Sequence, residues 1–74
     1  MKNVQDAKQL GDAIRERRRE LGVTQKDLAM TAGTGLRFII DLEKGKPTCH
    51  IQKAFQVVRT LGLKISLVPF GREQ

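Results

Sequence analysis

Cysteine and histidine are nearly absent from the sequence, which has one of each, Cys49 and His50. A single cysteine cannot form an intramolecular disulfide, so a disulfide-stabilised scaffold is excluded. A structural metal site needs three or four ligands, and a Cys–His catalytic pair needs opposed side chains with a third, orienting group. The sequence therefore predicts no metal, no cofactor and no enzymatic activity.

Long apolar runs and large aromatic residues are also missing. The sequence has no Trp or Tyr and only three Phe, and no apolar run approaches the roughly 20 residues that span a bilayer. Residues 1–10 are too polar for a secretory signal. We expect a cytoplasmic protein with one small core, which is marginally stable alone and gains from an oligomeric partner.

Positive charge, in contrast, is abundant. Lys and Arg together number 14 against 8 Asp and Glu, which gives a formal net charge of +6. This balance favours a polyanionic partner, and it favours nucleic acid over a membrane surface.

Capping residues and glycines divide residues 6–62 into four predicted helices. Their expected spans are about 7–21, 25–32, 36–44 and 49–61. The expected N-cap residues are Asp6, Thr24 and Thr48. The helices should end at Gly22, Gly33, Gly45 and Gly62.

The C-terminal segment changes period. Apolar residues alternate at Leu63, Ile65 and Leu67 before Pro69, which predicts a short β-strand. A lone strand needs a partner outside the chain, and the simplest one is the same strand of a second copy. The alternative is an extended tail that packs Leu63 and Ile65 on the helices.

A short turn separates the second and third predicted helices, since only residues 33–35 lie between them. Two short helices joined by a glycine-containing turn are typical of a helix-turn-helix, whose second helix enters the DNA major groove. The apolar spacing agrees with this interpretation. The facing apolar residues are expected to be Leu28, Ala29, Ala32, Ile39 and Leu42.

These features resemble the lambda-repressor-like (Xre/Cro) helix-turn-helix family, and within it the HipB-type antitoxins. The residues that carry the general resemblance are Arg18, Gly22–Gln25, Leu28–Ala29, Ala32–Gly33, Ile39 and Leu42–Gly45. Those that carry the HipB likeness are Gly35–Phe38, Leu42–Thr48 and the strand-like tail. The resemblance implies an all-α, lambda-repressor-like bundle of four helices with a short C-terminal β-strand for dimerisation. The expected organisation is a flexible N-terminus (1–5), a DNA-binding domain (6–62), a dimerisation strand (63–69) and a tail (70–74).

The same resemblance implies a DNA-binding surface around the third helix. The predicted DNA-binding residues are Thr24, Gln25, Lys26, Thr34, Gly35, Leu36, Arg37, Phe38, Asp41, Lys44 and Lys46. Leu36, Arg37 and Asp41 are the candidates for base contact, because the start of this helix faces the groove. Gln25 matches the phosphate-binding glutamine of the family. The lysines should neutralise phosphates without reading sequence.

Alternatives remain for the residues of the third helix. Arg37 can read guanine O6 and N7, contact a phosphate, or pair with Asp41 four residues on. Asp41 can accept from a cytosine amine or orient Arg37. Leu36, Phe38 and Ile40 can contact thymine methyl groups, pack against the fourth helix, or meet a protein partner. In the family, the residues matching Arg18 and Glu43 form a structural ion pair.

The resemblance implies a homodimeric repressor of double-stranded DNA. It further implies an antitoxin that binds a HipA-like serine/threonine kinase toxin and represses its own operon. One alternative is a stand-alone, phage-like regulator without a toxin. The other is a protein- or RNA-binding module on the same fold.

Overall fold

Four α-helices form the fold in a computed structural model, which describes residues 3–71. They are α1 (Ala7–Glu20), α2 (Gln25–Ala32), α3 (Leu36–Lys44) and α4 (Ile51–Thr60). The predicted bounds of α2 and α3 are confirmed, and α1 ends one residue earlier than expected. None of the helices in residues 3–71 is long and apolar enough to cross a membrane.

Side-chain caps explain why α1 and α2 begin where they do. The Asp6 carboxylate accepts from the backbone N–H of Gln9 at 2.8 Å. The Thr24 hydroxyl accepts from the backbone N–H of Asp27 at 3.0 Å. Each cap satisfies an amide that has no partner inside its helix.

The predicted start of α4 was wrong by two residues. His50, not Thr48, is the N-cap, and its Nδ1 accepts from the backbone N–H of Lys53 at 3.4 Å. Because His50 itself has an extended backbone, with φ −73° and ψ 109°, the helical turns start only after it. Cys49 and His50 therefore precede α4 instead of forming its first turn.

The core lies where α3 packs against α1 and α2, and where α4 packs against α2. Ile14, Ile39, Val57 and Leu61 are its largest fully buried side chains. The other buried apolar residues are Leu28, Ala29, Ala32, Leu42, Ala54 and Val58. The apolar residues predicted to join α2 to α3 are therefore all in the core.

The predicted C-terminal β-strand was wrong. Residues 63–69 have no regular secondary structure, and no strand occurs anywhere in residues 3–71. The alternation of apolar residues is present, but a strand also needs a second extended segment to complete its hydrogen bonds. The Leu63 N–H instead donates to the Val58 carbonyl at 3.0 Å, and the Leu63 side chain packs on the core. Residues 1 and 2 of the predicted flexible N-terminus and residues 72–74 of the predicted tail lie outside the described residues.

Candidate nucleic-acid interface

A left-handed glycine and a backbone hydrogen bond define the turn between α2 and α3. Gly33 adopts a left-handed conformation with φ 75°, which favours glycine because a Cβ there would crowd the backbone. The Thr34 N–H then donates to the Ala29 carbonyl at 2.9 Å. Gly35 has an extended backbone and directly precedes α3. Residues 33–35 thus change the direction of the chain within three residues, directly before α3 begins.

The third helix has one buried and one exposed face. Ile39, Leu42 and Glu43 are buried. Leu36 is 43% exposed, and the Arg37 side chain is 75% exposed. The first turn of α3 therefore presents an apolar and a guanidinium side chain to solvent, next to the short turn.

Three charged residues form a linked group, two on the exposed face of α3 and one just after its end. Arg37 Nη2 lies 3.3 Å from Asp41 Oδ1, and Lys46 Nζ lies 3.7 Å from Asp41 Oδ2. The Asp41 side chain is 23% exposed, so it is the least exposed of the three. We call Arg37, Asp41 and Lys46 the charged trio.

Phe38 follows Arg37 in the first turn of α3. Its side chain is half-buried and packs against the hydrophobic core. The ammonium group of Lys53, on α4, is 6.0 Å from the centre of its ring. Ile40 is also half-buried. Phe38 therefore packs on the core and lies next to Lys53 of α4, which corresponds to the packing alternative given for it above.

A polar cluster connects Glu43, near the C-terminal end of α3, to α1 and α2. Arg18 Nε donates to Glu43 Oε2 at 2.7 Å, and Arg18 Nη2 donates to Glu43 Oε1 at 3.1 Å. Arg18 Nη1 also donates to the Val23 carbonyl at 2.9 Å. The Gln25 side-chain amide donates to Glu43 Oε1 at 3.1 Å. Since the Glu43 side chain is only 3% exposed, these donors compensate for the burial of its charge.

The remaining predicted DNA-binding residues surround this surface. Lys26 and Lys44 are exposed, and Thr34 is half-buried. Thr24 uses its hydroxyl to cap α2. Gly35 leaves open space around its Cα, since a Cβ built there has no neighbour within 4 Å. A phosphate can therefore approach the backbone at this glycine.

Two structural residues were not identified from the sequence. Arg17 Nε donates to the Leu61 carbonyl at the end of α4, at 3.0 Å. Gly11 is buried against α3. Arg17 is one of four arginines at positions 15–19, where only Glu16 is not basic, and nothing in that segment distinguishes it. The position of Gly11 inside a helix, where glycine is unfavourable, was the available signal.

No group of three or more His, Cys, Asp or Glu side chains within residues 3–71 is arranged to hold a metal ion. Cys49 is free and exposed.

Comparisons with known proteins identify relatives of the chain. A helix-turn-helix family model, HTH_3, matches residues 14–68. The HTH-type transcriptional regulator y4mF of Sinorhizobium fredii is 42% identical over 73 residues, which cover 99% of this chain and 96% of the relative. An HTH-type transcriptional regulator of Methanothermobacter thermautotrophicus is 45% identical over 49 residues, which cover 66% of this chain and 71% of the relative.

Solved structures share the fold. A chain of the HipA-HipB-O2-O3 complex superposes with a TM-score of 0.86 and 23% sequence identity, over 95% of this chain and 99% of that one. A chain of the HipB-O4 20mer complex gives the same TM-score, identity and coverage. The similarity is of architecture, since fewer than one residue in four is identical.

Proposed function

The chain belongs to the lambda-repressor-like helix-turn-helix family of transcriptional regulators, and from this premise we propose that it is a sequence-specific repressor of double-stranded DNA. The observation that carries the proposal is the exposed guanidinium of Arg37 on the first turn of α3, directly after the short turn. This is the part of a helix-turn-helix that reaches base edges. The fork of an arginine matches guanine O6 and N7.

The surrounding residues fit the phosphate backbone. Lys26 and Lys44 are exposed, and the Lys46 side chain is 55% exposed. Exposed ammonium groups neutralise phosphates without reading bases, and each one neutralised adds about 0.9 to the salt slope of binding. Gln25 lies at the first position of α2, where helix amides and the helix dipole favour an anion. We assign these four residues to the DNA backbone.

We further propose that the protein acts as a homodimer. Exposed apolar side chains follow α4: Ile65 is 46% exposed, Leu67 is 94% exposed and Phe70 is 99% exposed. A chain of 74 residues gains stability when such groups are covered by a second copy. Two recognition helices would then meet a palindromic site about 34 Å apart, one DNA turn. We assign Ile65 and Leu67 to this contact. Leu63, the third residue of the alternating set, already packs on the core of its own chain.

The finer proposal is an antitoxin role. The chain resembles HipB in fold over nearly its full length, and HipB is found with HipA in the HipA-HipB-O2-O3 complex. Together with the sequence likeness around Leu42–Thr48, this supports a HipB-like antitoxin that binds a HipA-like serine/threonine kinase toxin. Such a pair would repress its own operon.

Arg37 provides the test of the DNA-binding proposal. Fluorescence anisotropy would measure binding to the duplex upstream of the protein's own gene and to an unrelated duplex of equal length. We expect Arg37→Ala to lose most of the preference for the upstream duplex. Arg59→Ala is the matched control, because it removes an exposed arginine from α4 instead of α3. Unchanged preference in Arg37→Ala would contradict the assignment.

The antitoxin role is tested separately. The protein would be tagged and expressed with its neighbouring genes, and untagged proteins that purify with it would be identified. Recovery of a kinase would support the antitoxin role. Wild-type protein that prefers the upstream duplex but recovers no partner would be a stand-alone regulator.

A further inference from the structure

We propose that Asp41 is a positioning residue for DNA recognition, which holds Arg37 and Lys46 in one arrangement and so couples base reading to backbone contact. The inference rests on the proposed function, and it assigns to Asp41 a role that does not require the carboxylate to touch DNA.

The contacts of Asp41 are divided between its two oxygens. Oδ1 faces Arg37 Nη2 at 3.3 Å, and Oδ2 faces Lys46 Nζ at 3.7 Å. The Arg37 and Lys46 side chains are 75% and 55% exposed, whereas Asp41 is 23% exposed. The Asp41 carboxylate is therefore less exposed than the two cations beside it. This arrangement suits a residue that orients Arg37 and Lys46 better than one that itself contacts DNA.

The two cations reach Asp41 by different routes. Arg37 precedes it by four residues, so the helix places both side chains on one face. Lys46 lies beyond the end of α3, where Gly45 is left-handed with φ 83°. The Lys46 N–H donates back to the Asp41 carbonyl at 3.1 Å. The backbone that ends the helix thus turns the chain back and brings the Lys46 ammonium over the same residue.

A carboxylate at position 41 is electrostatically unfavourable for DNA binding, so its presence there requires an explanation. A negative charge on a surface that meets phosphates weakens binding to any DNA. Exposed ion pairs also add little to folding stability, because water screens them and two long side chains lose freedom. Asp41 offsets its repulsion of the phosphates by ordering the Arg37 side chain, since a guanidinium fork must be aligned to read guanine.

The two cations have different chemistry, which makes the coupling specific. An arginine recognises guanine through a planar pair of donors, while a lysine is a point charge suited to phosphate. With Asp41 between them, the position of the phosphate-binding ammonium and the orientation of the base-reading fork depend on each other. The direct alternative is that Asp41 accepts from a cytosine amine.

The experiment uses the full chain and a duplex selected from a random-sequence library by the wild-type protein. Dissociation constants would be measured for the selected duplex, for each single base-pair substitution in it, and for an unrelated duplex. The variants are Asp41→Asn, Arg37→Ala and the double variant, with Asp41→Glu as a rescue. Asp12→Asn is the matched control, because it removes one charge from an exposed i,i+4 pair with Lys8 on α1.

The expected results differ between the variants. Asp41→Asn binds the unrelated duplex at least as tightly as wild type, because a repulsive charge is gone. It loses about fivefold or more of its discrimination at the base pair where Arg37→Ala loses discrimination. The double variant loses no more there than Arg37→Ala alone, and Asp41→Glu recovers part of the discrimination. Asp12→Asn behaves as wild type at every base pair.

Two results would overturn the inference while leaving the proposed function standing. In the first, Asp41→Asn keeps wild-type discrimination at every position. In the second, it loses discrimination at a different base pair and the loss adds to that of Arg37→Ala, which would identify direct reading of cytosine. A wild-type protein that selects no preferred duplex would instead defeat the proposed function, and the inference with it.

Discussion

Gly11 on α1 lies against the backbone of Glu43 on α3. A Cβ added at position 11 would stand 2.8 Å from the Glu43 carbonyl oxygen, and it would also overlap the carbonyl oxygen of Leu42. The two helices are therefore closer here than any side chain at position 11 permits. This approach lets Arg18, two turns further along α1, reach the Glu43 carboxylate, so the C-terminal end of α3 is fixed against α1.

The first prediction concerns this contact. Alanine is favoured over glycine by about 1 kcal/mol inside an unconstrained helix. We nevertheless expect Gly11→Ala to lower the free energy of unfolding by about 1–3 kcal/mol, because backbone atoms must move to admit the methyl group. Urea unfolding followed by circular dichroism measures the change. Arg15→Ala, exposed on the same helix, is the control. A stabilised Gly11→Ala variant would disprove the close approach.

The second prediction concerns the ion pair itself. The Arg18 and Glu43 side chains are 11% and 3% exposed. Removing one partner of a buried pair strands the other charge and costs about 3–5 kcal/mol. We expect Arg18→Ala to lose this amount in urea unfolding, while Arg19→Ala, at an exposed position, changes stability by about 0.5 kcal/mol or less.

A double variant separates the stranded charge from the loss of packing. Replacing both partners, as Arg18→Met with Glu43→Leu, removes both charges and keeps apolar volume. We expect it to be more stable than Arg18→Ala. Equal destabilisation of the two variants would mean that the stranded carboxylate is not the cause.

Local signals predicted the helices well, because helix ends depend on nearby residues. Thr24 and Gly33 bound α2 through contacts within a few residues, and the structure has α2 where the sequence indicates. The start of α4 was less accessible, because His50 rarely serves as a cap and Thr48 is the stronger capping residue. Capping propensity alone therefore favoured Thr48, whereas His50 caps α4 in the structure.

Features that depend on distant contacts were harder to predict. The alternation at Leu63, Ile65 and Leu67 describes which side chains share a face, but it carries no information on a hydrogen-bonding partner. The Arg37–Asp41 pair was foreseen as one option from its spacing, whereas the return of Lys46 onto Asp41 depends on the turn after α3. The spacing of residues along a helix is readable from sequence, and the path of the chain beyond the helix is not.

The third prediction compares two glycines with the same left-handed backbone. Gly22 and Gly45 have φ values of 72° and 83°. A Cβ at Gly22 meets nothing within 4 Å, whereas one at Gly45 would stand 2.7 Å from Lys8 Cα. We expect Gly22→Ala to cost about 1 kcal/mol for the backbone alone. Gly45→Ala should cost at least about 1 kcal/mol more, because it also meets rigid backbone.

Thermal and urea unfolding of these two variants measure the difference. Since the backbone penalty is common to both, their difference isolates the contact between the end of α3 and the start of α1. Equal stabilities would mean that the contact at Lys8 relaxes without cost.

The fourth prediction concerns Leu36, which is 43% exposed beside Arg37. If its side chain covers a thymine methyl group, replacing that thymine by uracil removes about 0.8 kcal/mol of apolar contact, or roughly a fourfold loss in affinity. Each thymine of the selected duplex would be replaced in turn. We expect one replacement in each half-site to weaken wild-type binding and to leave Leu36→Ser unaffected.

The control for this experiment is Arg37→Ala, which keeps Leu36. It should bind more weakly but remain sensitive to the same uracil. A wild-type protein that is indifferent to every uracil would remove Leu36 from the base-contacting set.

The last prediction concerns the exposed apolar residues after α4. Leu67 is 94% exposed and Met30, on α2, is 71% exposed. If a second copy covers Leu67, then Leu67→Ser loses apolar contact twice in a symmetric dimer, since each subunit carries the substitution. Burying one leucine contributes about 1.5–3 kcal/mol. The two losses together raise the dimer dissociation constant by roughly 100-fold or more.

Sedimentation equilibrium of the full chain measures this constant directly. Met30→Ser is the control, because it also removes an exposed apolar side chain but lies outside the segment that we assign to the dimer. We expect Leu67→Ser to shift towards monomer and Met30→Ser to match wild type. The Leu67→Ser variant should also bind a palindromic duplex more weakly than wild type, because a monomer engages one half-site at a time. An unchanged dissociation constant in Leu67→Ser would contradict the assignment of Leu67 to the dimer contact.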